Sequence, residues 1–273
     1  MSDRTKSEKT GGSKTEREKA RQAHAASLAA ERRRETRFRV LAGLVVVLVV
    51  GALIAVPVLT KKSAEPAPLP TTNANASLPK GVNATTFGVS YGTADSSKPE
   101  LQLWEDFQCP GCAALESSNG AGIVKLADDG KVRLVWRPTT FLDPRFPQSN
   151  QSSLRAAMAW GCAIDAGKAA QYHSKVFANQ PSVEGTGYTD AQLLDFGKQV
   201  GIEGAAYTTF EQCVTSKKYE GWVNNSSAIF NSEGVPGTPT GFLTGKGFDK
   251  KELTAEQLSN ISTLTDLIKQ ATG

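Results

Sequence analysis

Histidine occurs only twice in these 273 residues, and cysteine only four times. His24 lies in the N-terminal segment and His173 reads as a structural residue, so no imidazole is expected to carry the chemistry. A net basic charge is missing from most of the chain as well. Residues 1–39 hold twelve Lys/Arg against six Asp/Glu. Lys61 and Lys62 raise the N-terminal excess to +8, and a chain total of +4 leaves −4 for everything after them. A nucleic-acid-binding domain needs a basic face to contact phosphate; the long C-terminal part has none, which excludes nucleic acid as its partner. Large apolar side chains are nearly absent from residues 1–39. Such a segment cannot bury enough surface to offset the entropy of ordering it, so a disordered basic tail on the cytoplasmic side is expected there.

Charge is absent from Val40 to Leu59, where only Gly43, Gly51 and Pro57 interrupt an apolar run. A helix of this length spans the hydrocarbon core of a bilayer. Arg32, Arg33, Arg34, Arg37 and Arg39 crowd its N-terminal side, and the positive-inside rule then keeps the N-terminus in the cytoplasm and exports the chain beyond Leu59. A cleaved signal peptide would have a shorter apolar core, a shorter basic region and a small-x-small cleavage site, and the segment fits none of these well. Residues 40–59 are therefore read as a single transmembrane anchor, and residues 60–84, rich in Pro, Ala, Asn and Thr, as an extended extracytoplasmic linker.

All four cysteines lie in the exported part. Cys109 and Cys112 form a Cys-Pro-Gly-Cys motif, whereas Cys162 and Cys213 are isolated and 51 residues apart. The motif follows a strand-like run, Leu101–Phe107, and precedes a helix-like one, Ala113–Ala127, weakened by Gly120 and Gly122. At a strand-to-helix junction Cys109 meets unpaired backbone N–H groups and the positive end of the helix dipole, both of which favour thiolate. Pro110 suits the first helical turn. Spacing of i and i+3 brings the two sulfurs within disulfide reach, so one thiol can exchange with a substrate and the other resolve the mixed disulfide. A static bridge would close too small a loop to be a useful staple. A zinc site using all four cysteines lacks the second closely spaced pair. Cys162 and Cys213 suit a structural disulfide between two helix-like segments, 153–166 and 207–219, in an oxidising compartment; two buried free thiols are the alternative.

After Lys131–Arg137, a second strand, the chain turns helical. Ala169–Asn179 is a short helix, and Thr189 and Gln192 form a capping box ahead of Leu193, Leu194, Phe196 and Val200, with Gly201 at the end. A short strand follows at Gly241–Thr244. Thr254 and Gln257 form a second capping box, opening one final helix through Leu258, Ile261, Leu264, Leu267 and Ile268. The expected order is β-α-β, a helical insertion, then β-α.

Phe-Gln-Cys-Pro-Gly-Cys after an apolar strand, Tyr172–Gln180 in the helical stretch, and Gly-Val-Pro-Gly-Thr-Pro-Thr240 far downstream together resemble the DsbA-like thioredoxin family, over about residues 85–272. The resemblance implies an α/β thioredoxin-like fold, with residues 85–147 and 233–273 forming the two parts of the domain and 148–232 the helical insertion. It implies a cis bond between Thr238 and Pro239, with Pro236 the weaker match, in a loop beside the cysteines whose backbone pairs with substrate peptide. Glu105 and Asp106 match positions where related proteins often carry acids; they are either proton-relay residues or a solvated strand end. Gly111 departs from the family pattern, which often has His there, and so removes one stabiliser of the Cys109 thiolate. The implied activity is a thiol–disulfide oxidoreductase that oxidises exported, reduced proteins and is itself reoxidised by a quinone-linked membrane partner. No cofactor or metal is expected. A reductase or isomerase with the same chemistry, or a non-catalytic binding module, are the rivals.

Overall fold

Alternation of side chains sets up the centre of the molecule. In Glu100–Glu105, Leu101 and Leu103 are fully buried while Glu100 and Gln102 are half-buried, as in a strand with one face on a core. The computed structural model describes residues 72–273, and in it this strand, β2, is the middle of a five-stranded sheet in the order β1-β3-β2-β4-β5. The other strands are β1 (Val89–Gly92), β3 (Arg133–Pro138), β4 (Thr240–Gly245) and β5 (Phe248–Leu253). β2 and β3 are parallel, with Leu103 opposite Trp136, which is the pairing the expected strand-helix-strand unit requires. The remaining pairs are antiparallel.

Between β2 and β3 the chain forms α1 (Pro110–Leu115), a π-helical turn (Glu116–Gly120) and α2 (Ala121–Asp128). The single helix expected at 113–127 is thus interrupted at the weakened stretch. Within the expected insertion lie α3 (Ser152–Asp165), α4 (Ala169–Ala178), α5 (Asp190–Gln199), α6 (Gly204–Thr215) and α7 (Glu220–Ser232). α3 is buried along nearly its whole length because α4, α5, α6 and α7 all pack against it. Small residues at 156, 157, 159, 161 and 163 make that close surround possible. The Thr189 capping box is present, and Gly201, at φ +80°, ends α5 with its N–H bonded to the Lys198 carbonyl.

The C-terminal helix differs from expectation. It forms as α8 (Ala255–Ser259) and α9 (Ile261–Thr272), because Asn260 adopts an extended conformation and its side chain accepts from Thr263 N–H, starting a new helix. β1 and β5 are absent from the sequence reading. β5 carries Asp249, Lys250, Lys251 and Glu252 in succession, and all are exposed, so it has no apolar face to read.

Residues 1–39, the apolar run 40–59 and the first part of the linker lie outside the described residues. Among the described residues no helix is long and apolar enough to cross a membrane. From Asn73 onward the linker does not stand free. The Asn73 N–H donates to Asn225 Oδ1 (2.7 Å), Asn225 Nδ2 donates to the Asn73 carbonyl (2.8 Å), and Lys80 N–H donates to Asp165 Oδ1 (3.0 Å). Asn225 is buried, so it needs these partners, and the linker supplies them.

Cys162 in α3 and Cys213 in α6 are joined by a disulfide with Cα atoms 5.8 Å apart. This removes two of the four ligands that a zinc site would have used. Replacing both cysteines (C162A with C213A) is expected to lower the unfolding free energy by about 4 kcal/mol, from the loop entropy of a crosslink of this span. Chemical denaturation of the double variant against the parent measures it; coincident curves would deny the bridge a stabilising role.

Candidate active site

β2 delivers the chain to the N-terminus of α1. Cys109 is the N-cap residue, with extended backbone angles (φ −75°, ψ 119°), and Pro110 occupies the first helical turn, where its missing N–H costs nothing. The Cys109 N–H bonds to the Asp106 carbonyl (2.9 Å), and the Ala113 N–H to the Cys109 carbonyl (3.1 Å), closing the turn on both sides. Cys112 lies on the first turn of the helix, fully buried, whereas Cys109 keeps 8% exposure. Both are free thiols.

Their surroundings drive the two thiols apart. The Cys112 thiol donates to Cys109 sulfur and is the strongest influence on it. Burial opposes this, but Thr238 and the N–H groups of Cys112 and Gly111 add to it, and Cys109 is lowered to about 6. Burial pushes Cys112 well above the usual thiol range, and the Cys109 sulfur and Glu105 carboxylate push it further.

The loop before β4 completes the sulfur's environment. The Thr238–Pro239 peptide bond is cis, and Pro236 is not. In the dithiol, Cys109 Sγ lies 3.1 Å from the Thr238 carbonyl, an acceptor that favours the protonated form. Thr238 Oγ1 is buried without a partner in this state, leaving a donor available when the sulfur ionises. Gly111 faces the same loop: a Cβ there would stand 3.1 Å from Pro239 Cδ and 3.6 Å from Cys109 Sγ. A larger residue at 111 would press on Pro239.

Asp106 and Glu105, paired as candidates by sequence, separate in role. Asp106 is fully buried and holds the loop. Its Oδ1 accepts from Gln108 N–H (2.8 Å) and Ser153 Oγ (2.6 Å), and its Oδ2 from Leu142 N–H (2.9 Å). Burial raises it to about 7, while these bonds pull the other way. Glu105 turns toward α4, with Oε2 3.1 Å from His173 Nε2; His173 Nδ1 is 3.6 Å from Glu116 Oε2. Both acids are buried, which rules out the solvated strand end.

His173 is enclosed by the rings of Phe107, Trp136, Trp160 and Phe177, with centroids 4.8–5.4 Å away. Burial works against its charged form, but the Glu116 and Glu105 carboxylates outweigh burial and raise it to about 9. Burial and the Glu116 charge raise Glu105 to about 7, with His173 acting in the opposite sense. The donor atoms of the three lie within 4.8 Å of one another, close enough to share a metal ion. A protonated imidazole between them offsets one of the two carboxylate charges without a metal ion.

Sequence reasoning did not single out Glu116, Gln180 or Tyr188. Gln180 Nε2 donates to the carbonyls of Phe107 (2.9 Å) and Cys109 (3.0 Å), and the Tyr188 hydroxyl donates to that of Phe107 (2.9 Å), so the helical lobe holds the active-site loop by its backbone. Gln180 ends the run that carried the family resemblance. Glu116 stands four residues after Cys112, the helical spacing that puts both on one face.

Alkylation tests the asymmetry. A lowered thiol pKa means that thiolate is present above it and lost as pH falls through it. Iodoacetamide should therefore modify Cys109 of the reduced protein at a rate that halves near pH 6, and leave Cys112 unmodified in the folded state. A midpoint near the ordinary thiol value would refute the assignment.

A family model described as Thioredoxin matches residues 85–262. Among solved structures, MdbA, a thiol-disulfide oxidoreductase from Actinomyces oris, is 24% identical, with a TM-score of 0.58 over 74% of this chain and 96% of that one. Oxidised DsbA from Mycobacterium tuberculosis is 25% identical, with a TM-score of 0.55 over 68% and 93%. Oxidised BdbD from Bacillus subtilis is 19% identical, with a TM-score of 0.55 over 72% and 97%. No curated protein sequence matches the chain.

Proposed function

Because this chain belongs to the thioredoxin family and shares the fold of DsbA-like oxidoreductases, we propose that it is a membrane-tethered, extracytoplasmic enzyme that introduces disulfides into exported proteins. The observation that carries this reading is the opposite displacement of the two thiols, Cys109 down to about 6 and Cys112 well up. A thiolate stabilised at neutral pH favours the reduced enzyme over its disulfide, which makes the disulfide oxidising. Gly111 supplies no imidazole to this end; backbone N–H groups, the Cys112 thiol and Thr238 take its place.

In the oxidised enzyme Cys109 and Cys112 share a disulfide. A substrate thiolate attacks Cys109 Sγ, the bond to Cys112 breaks, and Cys112 departs with the electron pair and takes up a proton. A second substrate thiolate then attacks the substrate sulfur of the mixed disulfide, and Cys109 leaves as the stabilised thiolate. The substrate gains one disulfide and the enzyme two electrons. The loop at Thr238 and Pro239 would pair with substrate backbone beside Cys109. Glu105, whose charge acts on the Cys112 thiol, would be the acid that exchanges its proton. A quinone-linked partner in the membrane would accept the electrons, and the apolar run 40–59 would hold the enzyme near it.

The test is a redox titration together with oxidation of a reduced, unfolded protein. The expected potential lies above about −200 mV, well above structural disulfides, and C109S should abolish oxidation. A potential near −270 mV would favour the reductase, and full activity in C109S would remove Cys109 from the mechanism.

A further inference from the structure

The loop that brings Thr238 to Cys109 starts at the end of α7. Gly234, at φ +65°, follows the helix; its N–H bonds to the Asn231 carbonyl (3.1 Å), and the Val235 N–H bonds to that of Phe230 (3.2 Å). These two bonds end the helix, and Val235 shares a small core with Phe230 and Trp104. Nothing in this cap calls for an acid. Yet Glu233 occupies its last position, where a carboxylate meets the negative end of the helix dipole.

That carboxylate is held from the sheet. Arg137 of β3 is fully buried; its Nη2 donates to Glu233 Oε1 (3.4 Å), its Nη1 donates to Gln102 Oε1 (3.2 Å), and its guanidinium stacks 4.1 Å over the Trp104 ring. Lys250 Nζ donates to the other Glu233 oxygen (2.8 Å). Arg137 Nε and Trp104 Nε1 are buried without a hydrogen-bond partner. Burying a guanidinium with a donor unmet costs stability, and apolar side chains of the same volume would fill this space at least as well. What the pair does supply is a connection. Trp104 belongs to β2, five residues before Cys109, and stands opposite Thr240 of β4, two residues after Thr238. Arg137 therefore ties the strand that delivers Cys109 to the first residue of the loop that delivers Thr238.

We propose that Arg137 and Glu233 are positioning residues for disulfide exchange, paired so that the Thr238–Pro239 loop keeps its place over Cys109 Sγ. This rests on the oxidoreductase reading of Cys109 and Cys112. The far end of the loop is fixed by β4 and by Thr240 Oγ1, which donates to the Gly237 carbonyl (2.9 Å). The near end has the α7 cap, Val235 and the clamp on Glu233. Between these points Thr238 holds its carbonyl 3.1 Å from Cys109 Sγ and keeps its Oγ1 buried with no partner. A hydrogen bond weakens steeply as its angle worsens, so a slack loop would lose the Thr238 hydroxyl as a donor to the thiolate. The Cys112 thiol is the largest influence on Cys109, and Thr238 adds to it against burial. Slackening the loop would therefore weaken the thiolate without abolishing it. A weaker Cys109 thiolate leaves the mixed disulfide less readily and makes the enzyme disulfide less oxidising. Arg137 and Glu233 act only through the loop; neither is among the groups that shift the Cys109 or Cys112 thiol.

The experiment uses the full-length protein and three variants, R137M, E233A and the two changes combined. Either single change leaves a charge unpaired and can destabilise the fold; the combined variant buries no unmatched charge and so carries the decision. Two equilibrium readouts are taken on folded protein: the pH midpoint of iodoacetamide modification of Cys109, and the redox equilibrium with glutathione at pH 8. In the combined variant the midpoint should rise by about one pH unit, the low end of a lost hydrogen bond to a charged group. The glutathione equilibrium should shift about tenfold toward the enzyme disulfide, a potential lower by about 30 mV. A single variant that folds should show the same shift as the combined one. A merely structural pair would move the denaturation curve and neither readout. Parental values of both readouts in the combined variant, with Cys112 still unmodified as the sign of an intact fold, overturn the proposal; so do single shifts that add in the combination. Failure of the oxidoreductase reading looks different: the parent protein would then form no disulfide with glutathione disulfide, while the alkylation midpoint would still report the clamp.

Discussion

The structure around the motif answers one constraint: a sulfur anion must be held without a cation beside it. No Lys, Arg or His stands among the groups that lower Cys109. Its stabilisation comes from donors with fixed positions, namely the N–H groups at the start of α1, the neighbouring thiol and Thr238. Such donors work only if the backbone that bears them cannot relax. This explains the density of bonds behind the motif, where Asp106, Gln180 and Tyr188 tie residues 106–109 to three separate parts of the helical lobe. The lobe is thus part of the active site, although none of its side chains is among the groups that lower the Cys109 thiol.

Behind Cys112 the opposite solution appears. There a real cation is buried, and it is kept by two carboxylates and surrounded by rings. Burying three ionisable groups is expensive unless they satisfy one another, and removing one leaves the others uncompensated. Cys112 therefore has a neutral sulfur in front of a charged cluster, while Cys109 has an anionic sulfur in front of neutral donors. Burial of Cys112, reinforced by the Glu105 carboxylate, against the donors gathered around Cys109 makes chemically identical side chains behave as nucleophile and resolving group.

Much of this was legible because it depends on local patterns. The alternation in β2, the Cys-Pro-Gly-Cys junction and the two capping boxes each follow from residue type and spacing, and each forms where expected. Those misread depend on pairings and caps that residue type and period alone do not show. β5 is a strand because β4 pairs with it, not because its charged residues favour one. Asn260 breaks the last helix through a cap that competes with an otherwise continuous apolar period. Glu105 and Asp106 are adjacent in sequence and indistinguishable there, yet alternation along the chain points one toward α4 and the other toward α3. Glu116 lay in a helix the sequence suggested, but its meeting with His173, 57 residues on, belongs to the tertiary fold.

The strap formed by residues 73–80 has a mechanical consequence. It is fastened to α7 at Asn225 and to α3 at Asp165, and Asp165 also accepts from Tyr219 and Lys218. Cys162, three residues before Asp165, carries the disulfide to α6. Tension on the chain from its N-terminal side would reach this crosslinked corner of the helical lobe before it reached β1. The sheet, the Pro239 loop and the geometry around Cys109 sit downstream of that anchorage. A pull from that side would meet the crosslinked corner first.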